Sequence, residues 1–137
     1  MHRIALRLAA TAVAVLLGCL ALSTASATAR PLDKHHVKIS AGPVKNKVHK
    51  GDQVRIHGHL ANADGPRLAD VYDTLYLQEE TQAGVWVNLA DTSCEPDNDF
   101  DIRLNLNVSA TLTLRVFAPE TELYASATSS VFALIVL

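Results

Sequence analysis

Apolar and polar residues alternate one by one over residues 100–108. Phe100 begins the run, Val108 ends it, and each apolar residue between them is followed by a polar or charged one. Period two places one class of side chain on one face of a strand, whereas a helix would spread the same residues around its circumference. The pattern therefore predicts a half-buried β-strand.

A second alternating run lies just before this strand, and turn-forming residues separate the two. Pro96 fixes its own φ angle, and Asn98 tolerates the left-handed backbone region. The stretch from Val85 to Val108 is therefore predicted to be a hairpin, two neighbouring strands joined by a turn. The side chains expected to be buried in its first strand are those of Val85, Val87 and Leu89.

Five other stretches are also predicted to be strands. The second of them contains Gly58 on its apolar parity, where a bulge or a close-packed neighbour is expected. The last is apolar on both parities, which indicates either a covered strand or an exposed contact surface. The five stretches are residues 37–41, 54–60, 74–79, 111–118 and 131–137.

This succession of elements is typical of one architecture. About seven short strands separated by turn residues, with no convincing helix after the N-terminal segment, indicate a two-sheet sandwich. A hairpin alone is only marginally stable in water, so the predicted hairpin is expected to pack against the other strands. The sequence therefore predicts an all-β fold made of two packed antiparallel sheets.

The N-terminal segment has the pattern of a secretory signal peptide. Arg3 and Arg7 precede an uncharged apolar run that is short for a membrane span, and small residues then offer cleavage sites after Ala27 or Ala29. We therefore expect a secreted, extracellular bacterial protein. The expected divisions are a signal peptide at 1–29, a flexible leader at 30–36 and one domain at 37–137.

A lipoprotein signal is the alternative export route. Residues 16–19, Leu-Leu-Gly-Cys, resemble a bacterial lipobox, in which Cys19 would be lipidated and become the first residue of the mature chain. The apolar run continues past Cys19 and better cleavage sites follow. We therefore favour secretion, with lipid anchoring at Cys19 as the alternative.

The charge of the chain gives no indication of nucleic-acid binding. The chain has 12 basic and 14 acidic residues, and loss of Arg3 and Arg7 with the signal makes the remainder more acidic. Basic residues are concentrated between Arg30 and Arg55, where they could meet an acidic cell-wall polymer or an anionic membrane surface. Their spread along the segment favours a solvated arm and edge strand instead.

Several short segments follow one another in an informative order. They are residues 48–60, 68–70, 75–78, 84–86, 112–117 and 123–131. This order resembles that of bacterial immunoglobulin-like domains in exported proteins. The resemblance implies an immunoglobulin-like sandwich over residues 37–137 and carries no signature of activity. The chain departs from the family in having Asn98 where a glycine is usual, and extra residues around 71–73.

Two histidines on one predicted strand are the candidate metal ligands. His57 and His59 lie two residues apart, so both imidazoles project from the same outward face, and neutral imidazole binds zinc, copper or nickel. A third ligand could come from His49, His35 or His36. Closed structural zinc sites use four ligands, so exposed polar histidines are the preferred interpretation, and we expect neither a metal nor another cofactor.

Three alternating aspartates resemble the start of a calcium-binding loop. Asp97, Asp99 and Asp101 could supply carboxylate oxygens at alternate positions. The glycine and the distal glutamate of an EF-hand are missing. A polar turn followed by the outward face of a strand explains the same residues.

Cys94 is the only cysteine left once residues 1–29 are removed. An unpaired cysteine in an exported protein suggests an intermolecular disulfide or a free thiol. Acidic neighbours disfavour a thiolate, so a catalytic role is not expected. A disulfide-linked homodimer and an inert, partly buried thiol remain open.

No catalytic motif was found, so the chain is not expected to be an enzyme. It lacks the Gly-x-Ser-x-Gly of a serine nucleophile and any phosphate-binding glycine loop. Trp86 suggests either an exposed platform for a sugar or partner, or partial burial at the sandwich edge. We therefore expect an extracellular interaction or structural module whose partner is a protein or a cell-wall component. The alternatives are a metal-binding protein and an inhibitor of an exported enzyme acting through residues 119–126.

Overall fold

The computed structural model describes residues 33–63 and 74–137, which form strands and no α-helix. The described residues contain no helix long and apolar enough to cross a membrane. The strands are β1 (Val37–Pro43), β2 (Lys47–Val48), β3 (Gln53–Asn62), β4 (Leu75–Glu80), β5 (Trp86–Thr92), β6 (Asp99–Asn105), β7 (Ala110–Ala118), β8 (Ala127–Thr128) and β9 (Phe132–Val136). The predicted all-β fold is confirmed.

The strands form two sheets with immunoglobulin-like connectivity. One sheet has the order β1-β3-β6, and the other has the order β2-β9-β7-β4-β5, with β8 paired to β7. In immunoglobulin nomenclature these are A-B-E and A′-G-F-C-C′. All neighbouring strands are antiparallel except β2 and β9. The predicted immunoglobulin-like sandwich of two sheets is therefore the observed fold.

The predicted hairpin at Val85 to Val108 is wrong in its pairing. Both of its strands exist, as β5 and β6, but β5 pairs with β4 and β6 pairs with β3 in the other sheet. The turn carries the chain from one sheet to the other, with Glu95 N–H donating to the Asp99 carbonyl at 2.8 Å and Asn98 in the left-handed region at φ 69°. Alternation along a strand specifies the face on which each side chain lies, but not the strands that pair with it. The sequence pattern was therefore compatible both with a hairpin and with a crossing between sheets.

The burial expected for the first strand of that hairpin is also wrong. Val85, Val87 and Leu89 are 57%, 39% and 37% exposed. The opposite sheet has only three strands and cannot cover the whole five-strand path, and β5 lies at the end of that path. The ladder between β4 and β5 also shifts register between Leu77 and Gln78, which leaves Leu89 as an extra residue on β5.

The core lies between the two sheets and is built from the apolar parity of their strands. Gly58 also faces inward, and the phenyl ring of Phe100 fills the space that a side chain at this position would occupy. A Cβ on Gly58 would lie 2.1 Å from Phe100 Cζ. The expected close-packed neighbour is thus Phe100. The closing strand β9 lies between β2 and β7 in its sheet. It buries Leu134 and Val136, whereas Phe132 and Ile135 are only partly buried. The largest fully buried side chains are those of Phe100, Ile56, Leu60, Leu75, Leu77, Ile102, Leu114, Leu134, Val54 and Val116.

The predicted signal peptide, the lipobox and Cys19 lie outside the described residues. The described end of the predicted leader contacts the loop after β7. Lys34 Nζ donates to Glu120 at 2.5 Å and to the Thr121 carbonyl at 2.7 Å, and His35 N–H donates to the Leu123 carbonyl at 2.9 Å. These bonds join the start of the domain to residues 120–123.

Candidate functional site

The two candidate metal ligands lie on the outer face of the three-stranded sheet. In the ladder between β3 and β6, His57 is paired with Asp101 and His59 with Asp99. Paired residues of an antiparallel ladder share a face, so each imidazole stands beside a carboxylate. With Arg55, these four residues form what we call the histidine–aspartate face.

Both imidazoles of this face are held through the same ring nitrogen. His59 Nδ1 lies 2.6 Å from Asp99 Oδ1, and His57 Nδ1 lies 3.2 Å from Asp101 Oδ1. A carboxylate only accepts hydrogen bonds, so each Nδ1 carries the hydrogen. About half of each histidine side chain, 52% for His57 and 51% for His59, is exposed to solvent.

Arg55 keeps the central carboxylate ionised. Its Nε donates to Asp101 Oδ1 at 2.9 Å and its Nη2 donates to Asp101 Oδ2 at 2.5 Å, a two-point pairing. This hydrogen bonding, aided by His57, lowers the pKa of Asp101 to about 2 despite an opposing effect of burial. Asp101 is therefore an anion at every physiological pH.

The other proposed ligands are not gathered at this face. Among the described residues, no group of three or more histidine, cysteine or acidic side chains is placed to hold a metal ion. His35 instead stacks obliquely on Tyr124, with ring centroids 5.8 Å apart. In the possible calcium motif, Asp97 Oδ1 accepts the Asp99 N–H at 3.1 Å, and the other two carboxylates are bound to histidine and arginine.

Trp86 lies on the outer face of the larger sheet and is partly buried there. The Arg115 guanidinium carbon is 4.1 Å from the centre of its ring, a cation–π contact. Arg115 Nε also donates to Gln78 Oε1 at 2.9 Å, and Gln78 Nε2 donates to Asn88 Oδ1 at 2.9 Å. This chain of contacts fixes the surface beside β5.

Strand β5 is an open edge of the larger sheet. It pairs with β4 on one side, and no described strand pairs with its other side. Val87 and Leu89 in this strand are exposed, and so is Val85, the residue just before it. We call these three residues and the free backbone of β5 the open β5 edge.

Cys94 lies in the connection from β5 to β6 and is free. It packs against the core and is partly buried. Burial, and next the negative charges of Asp97 and Asp99, raise the pKa of its thiol to about 12. Cys94 is thus a poor nucleophile, as its acidic neighbours in the sequence suggested.

Sequence reasoning missed the partners of the candidate residues. The pairing of His57 and His59 with two aspartates depends on the register between β3 and β6, some 40 residues apart. Arg55, His57 and His59 alternate along one strand, and two aspartates alternate along the other. This complementary charge pattern was the one feature of the sequence that indicated the pairing. Arg115 gave no such signal, because β7 and β5 are not neighbouring strands: β4 lies between them in the sheet.

Comparisons with known proteins give a fold likeness and no family. No family model and no curated protein matches the chain. It is similar to a CARDB domain from Pyrococcus furiosus, solved in complex with di-metal ions, at 9% identity and TM-score 0.48, over 75% of this chain and 94% of that one. It is also similar to a conjugative transposon lipoprotein from Bacteroides eggerthii, at 18% identity and TM-score 0.48, over 72% of this chain and 95% of that one. Likeness at this level transfers neither a function, a metal site nor an anchor.

Proposed function

We propose that this chain is an exported, non-catalytic binding module that takes up a segment of another polypeptide along the open β5 edge. The observation that carries the proposal is the exposure of three apolar residues at an edge strand: Val87 and Leu89 in β5, and Val85 just before it. Isolated exposed apolar residues are ordinary, whereas a row of them along an unpaired edge is the arrangement that natural proteins avoid unless it is used.

The backbone of β5 supplies affinity without requiring a particular partner sequence. An added strand forms main-chain hydrogen bonds to the free edge, and alternate side chains of the partner meet those of the edge. Val87 is the central apolar side chain of this edge. The register shift leaves Leu89 without a partner residue on β4. A bulge at this point bends the strand and limits how far an added strand can pair, which favours a short segment.

Side-chain contacts hold the surface beside the edge. Trp86 is held by Arg115, and Arg115 is held in turn by Gln78, which is only 9% exposed. A fixed surface loses little conformational freedom when a partner binds.

The surroundings of two potential nucleophiles, a cysteine thiol and a serine hydroxyl, also favour binding over catalysis. The Cys94 thiol has a raised pKa, and Ser129 Oγ accepts the Val116 N–H and donates to the Ser130 carbonyl, both at 2.9 Å. These groups serve the fold. Export rests on the pattern of residues 1–29, and a Cys94-linked homodimer stays a prediction.

The intact mass of protein purified from the producing organism tests export. We expect a chain that starts at Thr28 or Arg30, and a mass unchanged by reductant if Cys94 is unlinked. A chain that begins at Met1 would contradict export. A start at lipidated Cys19 would mean a tethered module.

Binding to the cell envelope tests the edge. Fluorescently labelled wild-type protein is titrated onto envelope preparations of the producing organism, and the half-saturating concentration is measured. Val87→Lys places a charge in the apolar contact and is expected to raise that concentration by about tenfold or more, which corresponds to about 1.4 kcal/mol. Val131→Lys is the matched control, since Val131 is also exposed, at 56%, but lies outside β5. Saturable binding that Val87→Lys leaves unchanged would contradict the proposal.

A further inference from the structure

The histidine–aspartate face combines two features that metal-binding histidines require. The first is placement. His57 and His59 are alternate residues of β3, so their side chains leave the same face about 7 Å apart along the strand. Metal–nitrogen bonds of about 2.1 Å need the two ligating nitrogens to approach within about 4 Å, so one ion above the strand is bound when the two rings turn towards each other.

The second feature is orientation. In protein metal sites the ligating histidine donates its other ring N–H to a carboxylate, which fixes the tautomer and makes the free nitrogen a better ligand. Here Asp99 and Asp101 already take the Nδ1 hydrogens of His59 and His57, at 2.6 and 3.2 Å. The Nε2 atom of each ring is therefore the one with a lone pair, and among the described residues it has no hydrogen-bond partner.

The electrostatics of the face indicate which ions fit. Arg55 neutralises Asp101, so the face does not offer the accumulated carboxylate charge that Ca²⁺ and Mg²⁺ need. Two neutral imidazole nitrogens suit Cu²⁺, Ni²⁺ and Zn²⁺. The ligand set thus selects a transition metal.

The geometry points to a two-histidine site for Cu²⁺, Ni²⁺ or Zn²⁺ at Nε2 of His57 and His59, with Asp101 and Asp99 as positioning residues and the remaining coordination positions open to water. The site lies on the three-stranded sheet, on a different sheet from the open β5 edge. It does not depend on the proposed binding function.

Isothermal titration of tag-free protein with CuCl₂, NiCl₂ or ZnCl₂ tests this site. We expect one ion per chain, with Cu²⁺ binding more tightly than Ni²⁺ or Zn²⁺. Asp99→Asn is expected to weaken binding about 10–100-fold, and His57→Ala or His59→Ala at least as much. His49→Ala is the matched control, because His49 is an exposed histidine outside the pair, and it is expected to leave affinity unchanged. All four variants are checked for the wild-type far-ultraviolet circular dichroism spectrum.

The coordinating atoms provide a second readout. In long-range ¹⁵N spectra, Zn²⁺ is expected to shift Nε2 of His57 and His59 and to leave Nδ1 as the protonated nitrogen. The proposal is overturned if His57→Ala or His59→Ala binds Cu²⁺ as tightly as wild type, or if His49→Ala weakens binding as much as they do. An unchanged affinity in Asp99→Asn would overturn the positioning role. Envelope binding measured on His57→Ala separates this result from the proposed function, since that variant retains the β5 edge.

Discussion

Gly58 and Phe100 face each other across the ladder between β3 and β6, and the phenyl ring occupies the space of the missing side chain. A Cβ at Gly58 would lie 2.1 Å from Phe100 Cζ and 2.7 Å from Cε1 and Cε2. Phe100 is 1% exposed, so the ring is enclosed by the core. The pair fixes how closely the inner faces of β3 and β6 are packed.

Gly58→Ala is expected to lower the free energy of unfolding by about 1–3 kcal/mol, because overpacking displaces a buried ring. Gly42→Ala is the matched control: Gly42 lies in β1, which also pairs with β3, and an added Cβ there meets nothing within 4 Å. Urea denaturation measures both changes. Phe100→Leu in the Gly58→Ala background should recover part of the loss. Equal stability of the two single variants would contradict this packing.

Asn98 holds the left-handed position of the turn between β5 and β6, with φ 69°. Asn98→Ala is expected to destabilise the domain by about 1–2 kcal/mol, the cost of a Cβ in that region without the local hydrogen bonding of asparagine. Asn98→Gly should be as stable as wild type, because glycine adopts this region freely. Asn105→Ala, at the exposed end of β6, is the control. Thermal unfolding followed by circular dichroism distinguishes these outcomes.

The sequence was informative wherever a strand is covered by the opposite sheet. Val54, Ile56, Leu60, Phe100 and Ile102 are all buried as their parity required, and Gly58 has the close neighbour expected of it. Asn98 adopts the backbone conformation expected of it in the turn. These properties depend only on the local sequence of the strand or turn and on whether the opposite sheet covers it.

Properties that depend on which strands are neighbours could not be read from the pattern. The pairing of β5 with β4 rather than β6 places Val87 at an uncovered end of the sheet, although its alternation equals that of a buried residue. For the same reason His57 and His59 were recognised as an outward pair, whereas their hydrogen bonds to Asp101 and Asp99 were not. A register between distant segments is set by tertiary packing.

The depressed pKa of Asp101 predicts a loss of stability in acid. Its carboxylate is stabilised in the folded state by Arg55, so its pKa of about 2 lies below the ordinary value of 3.8. This contribution is fully present above about pH 4 and is lost as the pH falls through about 2. Wild type should therefore lose more of its unfolding free energy between pH 5 and pH 2 than Asp101→Asn does. Asp91→Asn, at an exposed aspartate of β5, should follow the wild-type curve; an Asp101→Asn profile parallel to wild type would refute the linkage.

The raised pKa of Cys94 predicts slow alkylation. Only the thiolate reacts, and a pKa of about 12 against the ordinary 9.0 leaves little thiolate at pH 8. Iodoacetamide should therefore modify Cys94 at least about tenfold more slowly in the folded protein than in urea-unfolded protein. The measurement is the modified fraction against time by mass spectrometry. Equal rates in the two states would show that the thiol is neither buried nor perturbed.

Site-specific photo-crosslinking in the producing organism tests the central claim most directly, namely that the open β5 edge is the binding surface. A photoreactive benzoyl-phenylalanine replaces Val87 in one variant and Val131, an exposed valine outside β5, in the other. We predict one discrete adduct with another polypeptide at position 87 and no such adduct at position 131. No adduct at position 87, or the same adducts at both positions, would contradict the claim.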